Sequence, residues 1–220
     1  MLLAEHLAGI ESEGRRLALA ARRDPGRAVP QYPDWTLADL VSHTASIHGR
    51  TALICRELPM ERISAPGPPD DRDVLDWYEE TLDDMLVALG DTDPTSRCWG
   101  FGPEPNVGFW ERRMVIETGI HRWDAYQAFG EEDRLTDLVA RSGLDEFSDM
   151  WLTQLGELPT LEMRATDVGD TWLFGEDQPS SSVHGTASDL YLRLMARPSP
   201  VSLPEDWGAA VDGLAAPPKR

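Results

Sequence analysis

Cysteine is nearly absent from this chain: Cys55 and Cys98 are the two in 220 residues. They have no CxxC spacing and no neighbouring Cys or His at ligand distance along the sequence, which excludes a zinc knuckle and a disulfide framework and leaves two reduced, structural thiols. Positive charge is scarce as well. Twenty Lys and Arg face 39 Asp and Glu, for a net charge of −19. Such a chain repels a phosphate backbone or an anionic lipid surface and offers no basic stripe, so neither nucleic acid nor membrane is an expected partner. Long apolar runs are missing too: nothing reaches the roughly 18 residues of a membrane span. The opening stretch MLLAEHLAGIESEGRR sets acidic residues where a secretory signal needs a basic flank, which leads us to expect a cytoplasmic protein. What is present suffices for a core: 41% of residues are hydrophobic, over a length that suits one large domain or two small ones.

Apolar residues recur at helical spacing in four successive segments. The first, residues 1–23, carries Leu3, Leu7, Ile10, Leu17 and Ala21 and stops at Asp24-Pro25-Gly26. The second opens at Thr36, with Asp39 three residues on as a capping partner, and continues through Leu37, Leu40, Val41, Thr44, Ile47 and Thr51 to about Glu57. A Pro-rich break leads to a third, from about Arg72 to Leu89, striped by Leu75, Tyr78, Leu82, Met85 and Leu89. After a Gly/Pro-rich loop over 90–107, the fourth runs from about Gly108 to Phe129 and ends at Gly130. Four amphipathic helices with short connections predict a four-helix bundle. A fifth helix is expected over 135–155. Beyond it "LEMRAT" and "TWLFG" read as a hairpin around "DVGD", "SVHG" as a short strand, and Thr186 with Asp189 as the start of a helix halted by Pro198. The expected organisation is a mainly α protein: a helical domain over 1–155 and a small α+β domain over 156–220.

The fourth helix carries the unusual chemistry. In IETGIHRWDA, Glu117, His121 and Asp124 fall within about 60° of one another at roughly 100° per residue, bordered by Trp110, Met114, Ile120, Ala125 and Ala128. Charged groups therefore sit on the stripe that should face the core. The second helix repeats the oddity with His43 inside its apolar stripe, whereas His48 is turned well away from it. Two imidazoles and one carboxylate from facing helices form a tripod suited to a divalent metal, zinc above all, with a fourth position open. A Glu-x-x-x-His pair alone is more often a solvated hydrogen bond or ion pair, and a lone inward His43 a satisfied core histidine. Their coincidence in one bundle is what raises the metal reading. Asp124 is read as a partner behind a ligand, or as an ion pair with Arg122 or Arg113. Arg113, if inward, suits a carboxylate.

Three motifs, "DWTLADLVSHTASIHGR", "FWERRMVIETGIHRWDAYQAFG" and "ASDLYLRLMAR", resemble the mycothiol-dependent maleylpyruvate isomerase family of actinobacteria, within the DinB/YfiT-like superfamily. The resemblance spans nearly the whole chain. It implies a DinB-like four-helix bundle followed by a small domain similar to sterol carrier proteins. It also implies His43, Glu117 and His121 as the metal ligands, the same three that the helical wheel selects. A catalytic arginine from the C-terminal domain is implied too, best matched by Arg197, with Arg193 of the same motif as the alternative.

What the resemblance implies chemically is a zinc ion and mycothiol as thiol cosubstrate. The activated thiol would attack a small electrophile, as in maleylpyruvate isomerisation. The same first half-reaction serves S-transfer in detoxification or biosynthesis, and the motifs do not choose between the two. A third reading is a non-catalytic protein whose metal is structural and closed by a fourth ligand, Asp124 or His48, with the small domain carrying an apolar ligand. Oligomeric state is not legible in the sequence.

Overall fold

Helix α1 (Leu2–Arg23) ends at the Asp24-Pro25-Gly26 turn, and α2 (Leu37–Glu57) starts at Thr36, whose side chain and that of Asp39 form a reciprocal capping box. The computed structural model describes residues 2–102 and 105–214. Asp73 caps α3 (Val74–Asp91) by accepting from the Leu75 and Asp76 amides, and Asn106 caps α4 (Val107–Gln127) by accepting from the Phe109 amide. Gly130, at φ 68, turns the chain just beyond α4. The connector before α2 carries an element that the helical periodicity does not show. It is a small antiparallel hairpin of β1 (Ala28–Val29) and β2 (Tyr32–Thr36).

Four helices make the first of two compact units, which ends at Asp133. Within it α2 packs on α3 and α4, and α1 on the same two helices. The stripe Leu75, Tyr78, Leu82, Met85 and Leu89 of α3 is buried. Helix α4 is buried on nearly every side, from Val107 to Ala125, as a helix enclosed by neighbours must be. Its charges are therefore partnered inside. Arg122 has no exposed surface and pairs with Glu13 of α1 and with Asp133.

His48 departs from expectation. Placed outside the apolar stripe by the helical wheel, it is completely buried, because α2 meets neighbours on more than one side and a residue off the main stripe faces the next helix. Its Nε2 lies 2.9 Å from Thr118 Oγ1 of α4, and its ring is 5.6 Å from that of Tyr78 on α3. Both cysteines are free and buried, and burial pushes the Cys55 thiol up to about 12.

The second unit begins at Arg134 rather than after residue 155. The reason is helix packing: α5 (Asp137–Glu146) lies on α6 (Ala187–Leu194) so closely that a Cβ on Gly143 would collide with the Tyr191 ring. The single helix expected over 135–155 is α5 followed by a π-helical turn at Phe147–Trp151 and a 3-10 turn at Leu152–Gln154. The expected hairpin is β3 (Leu161–Ala165) with β4 (Thr171–Phe174), turning at Gly169 with φ 77. Strand β5 (Ser181–Gly185) pairs parallel to β3 on its other edge, giving the order β4-β3-β5. A helix not anticipated, α7 (Glu205–Leu214), adds Trp207, whose ring lies 6.0 Å from Phe174, itself 5.6 Å from Phe147. Among the described residues no helix is long and apolar enough to cross a membrane.

Burial holds the His48 imidazole down to about 3 from its ordinary 6.5. The unfolded chain takes up that proton as pH falls through about 6.5, whereas the folded chain resists until about 3. Stability supplied by the neutral ring is thus complete above the upper value and lost at about 1.4 kcal/mol per pH unit below it. Urea unfolding of metal-free protein, followed from about pH 6 to about pH 4.5, should lose stability less steeply in His48→Gln, by about one bound proton.

Candidate metal centre

Three side chains from two helices meet inside the bundle. His43 of α2 approaches with Nε2 3.4 Å from Glu117 Oε1, and His121, one turn beyond Glu117 on α4, brings its own Nε2 to 3.2 Å from the same oxygen. One ligand atom from each of the three lies within 4.8 Å of the other two. The i,i+4 spacing predicted that Glu117 and His121 would meet, and α2 packing on α4 supplies the third group. The imidazole rings of His43 and His121 stand edge to face, 5.3 Å apart.

Asp124 stands behind the group. Its Oδ2 is 3.1 Å from His121 Nδ1, so Nδ1–H donates to Asp124 and Nε2 faces Glu117. A lone pair on Nε2 pointing at a carboxylate oxygen needs a proton or a cation between them. This is the arrangement in which a carboxylate fixes the tautomer of a metal-binding histidine. The other oxygen of Glu117 is held by Arg113, one turn earlier on α4. Desolvation by burial would push Glu117 up, yet the Arg113 charge and the hydrogen bonds from His121 and His43 outweigh it and hold the carboxyl well below the usual range. Burial likewise pulls His121 down, but Asp124 and Glu117 together lift it to about 9. In metal-free protein that imidazole is therefore a cation at neutral pH, filling the place of positive charge that a metal would take.

The donor set suits a divalent ion. Two imidazole nitrogens and a carboxylate oxygen converge from rigid helices, the carboxylate is ionised, and one histidine has its outer nitrogen anchored. Glu117 and His121 are buried, whereas the His43 side chain is 26% exposed, which leaves one side accessible to a ligand. Neither residue considered for closing the site does so. Asp124 is engaged at the far nitrogen of His121, His48 at Thr118, and the set found among the described residues has three members. Two aromatic residues overlooked in the sequence line the group from β2: Trp35, with its ring 5.1 Å from His43, and Tyr32, 6.0 Å from His121. Their signal was the aromatic pair in YPDW immediately before the α2 cap.

Arg197 belongs to the second unit. Helix α6 ends in a Schellman turn with Ala196 at φ 53: Ala196 N–H donates to Arg193 O at 3.1 Å and Arg197 N–H to Leu192 O at 2.9 Å. Arg197 Nη1 donates to Met195 O at 2.9 Å. Arg193, the alternative, reaches Asp212 of α7 at 2.9 Å.

A helical bundle with an inward His/Glu/His set, open on one side and followed by a small α+β unit, defines a class of bundle proteins with a candidate metal site. The model of the mycothiol maleylpyruvate isomerase N-terminal domain matches residues 7–126, and this chain belongs to that family, a family of enzymes. Crystal structures of a mycothiol-dependent maleylpyruvate isomerase and of a histidine-to-alanine mutant of it share the fold. Their TM-scores are 0.71 and 0.72 at 14% identity, over 92% of this chain and 95% of that one. No curated protein matches the sequence.

Replacing His121 by alanine should abolish metal uptake, measured as metal per chain by elemental analysis against a wild type holding about one. Asp124→Asn, which spares all three ligands, should weaken affinity about 10- to 100-fold in a chelator competition.

Proposed function

We propose that this protein is a zinc- and mycothiol-dependent enzyme that directs a low-molecular-weight thiol onto a small electrophile, with maleylpyruvate cis-trans isomerisation as its reaction. The observation that carries the reading is the buried, ionised Glu117 with two imidazole nitrogens converging on one of its oxygens and one side left open. Family membership supports mycothiol as the thiol. Zinc fits the two nitrogens and one oxygen of the set and a four-coordinate site with one free position. When bound there, it lowers the pKa of a thiol, so that the nucleophilic form is available at neutral pH.

The chain's own residues do the rest. Arg113 and the two histidines keep Glu117 ionised, and Asp124 keeps the His121 proton on Nδ1. Trp35 and Tyr32 crowd the imidazoles and limit water on that side. Addition of the thiolate to the substrate double bond leaves a single bond free to rotate, with the electron pair delocalised into the adjacent carbonyl as an enolate. Elimination then expels the thiolate and restores the double bond in the trans form, with no net redox change. Arg197 is proposed to hold the substrate carboxylate and steady the enolate. Arg193 of the same motif, which reaches Asp212 of α7, is the alternative.

If addition is not followed by elimination, the same centre is an S-transferase. The two free cysteines are in keeping with a reducing, cytoplasmic setting. The test is turnover of maleylpyruvate with and without mycothiol, alongside a panel of electrophiles scored for stable thiol adducts. Thiol-dependent isomerisation is expected, with kcat/KM falling about 100-fold or more in Arg197→Ala and changing little in Arg193→Ala. Stable adducts without isomerisation would identify the transferase instead. Absence of both would remove the enzymatic reading.

A further inference from the structure

Acidic groups outnumber basic ones 39 to 20 in this chain, so an arginine without a carboxylate needs a reason. Even surface arginines find one: Arg15 pairs with Asp83, Arg22 with Asp76 and Glu79, Arg56 with Asp84, Arg72 with Glu80. Arg50 does not. It is half-buried on α2, its Nε is enclosed with no hydrogen-bond partner, and it makes no ion pair among the described residues. Its guanidinium carbon instead lies 5.7 Å from the ring of Trp99 and 5.8 Å from that of Trp110.

Its position relates it to the metal centre. Arg50 is seven residues beyond His43, two turns along the same face of α2 and about 10 Å further down the helix. Burial lowers its affinity for its proton, Arg62 and Arg113 lower it further, and Glu117 opposes them, so Arg50 lies within electrostatic reach of the ligand carboxylate. Arg113 is neutralised by Glu117. Arg50 has no such carboxylate among the described residues, although it is half-buried. An indole against a guanidinium covers a face and leaves the in-plane N–H fork to receive a planar oxyanion.

We propose that Arg50 is an anion anchor, presented by Trp99 and Trp110, that binds a carboxylate of the electrophilic substrate beside the His43, Glu117 and His121 set. The assignment of that carboxylate to a substrate rests on the function proposed above. The anion site itself rests on Arg50 and its surroundings. It gives the bundle its own carboxylate contact, separate from Arg197, and suits a substrate carrying two carboxylates.

The probe is maleate, titrated into metal-loaded full-length protein and followed by calorimetry and by the fluorescence of the tryptophans beside Arg50. Saturable binding is expected in the wild type, weakened about tenfold or more in Arg50→Met and less in Arg50→Lys, which keeps charge without the fork. Metal content and mycothiol titration should match the wild type in both variants, and near-ultraviolet circular dichroism checks their folding. Should Arg50→Met fail to fold, Arg50→Lys carries the comparison. Equal maleate affinity in wild type and folded variants, or no saturable binding in the wild type, overturns the proposal. Arg50-dependent maleate binding in a protein that takes up neither metal nor mycothiol would uphold the anion site and remove the function assigned to its neighbour.

Discussion

A carboxylate buried in a helical bundle is the constraint around which the first unit is arranged. Glu117 sits on the most enclosed helix, where an isolated negative charge would be driven to protonate. It stays ionised because one oxygen is held by Arg113 and the other faces two imidazoles. Each of those groups must in turn be placed. Arg113 and His121 come from the same helix at four-residue spacing, which α4 fixes automatically. His43 comes from α2, whose start is set by the Thr36 and Asp39 capping box. A shift of that start by one residue would rotate His43 by about 100° and break the group. The cap therefore bears on the site as well as on helix stability.

The same helix carries a second buried charge that does not take part in the chemistry. Arg122, next to His121 in sequence, points a different way and is neutralised by Glu13 and Asp133. Breaking such a pair leaves an uncompensated ion in the core, which is strongly destabilising. Successive residues of α4, about 100° apart, thus serve function and architecture on different faces. That explains a helix with polar groups all round and yet almost no exposed surface. Asp124 falls between the two roles: fully buried, it anchors the outer nitrogen of His121.

How much of this could be read in the sequence follows from the physics of each feature. Helix starts at Thr36 and Thr186, and the central stripe of α3, were legible because capping and periodicity are local. Glu117 and His121 were legible for the same reason, and His43 because its helix had one clear apolar stripe. His48 was not, since a wheel orders residues around a single stripe and cannot register that α2 has several neighbours. Arg50 escaped notice because nothing local reveals that a charge lacks a partner. The hairpin of β1 and β2 was hidden by its prolines and short length, and with it Tyr32 and Trp35. The start of the second unit is not legible from where the strands begin, because α5 belongs with α6 through the close approach of Gly143 to Tyr191. Helix α7 did leave a signal, Pro204 followed by Glu205 and Asp206.

The central claim is that the open side of the His43, Glu117 and His121 set receives a thiol at the metal. Substituting cobalt(II) for zinc makes that contact visible, since sulfur ligation gives an intense charge-transfer absorption that nitrogen and oxygen ligands do not. Adding mycothiol to the cobalt protein should produce that band, saturating at about one thiol per chain. A cobalt spectrum unchanged by saturating mycothiol would contradict the claim, whatever metal the protein holds.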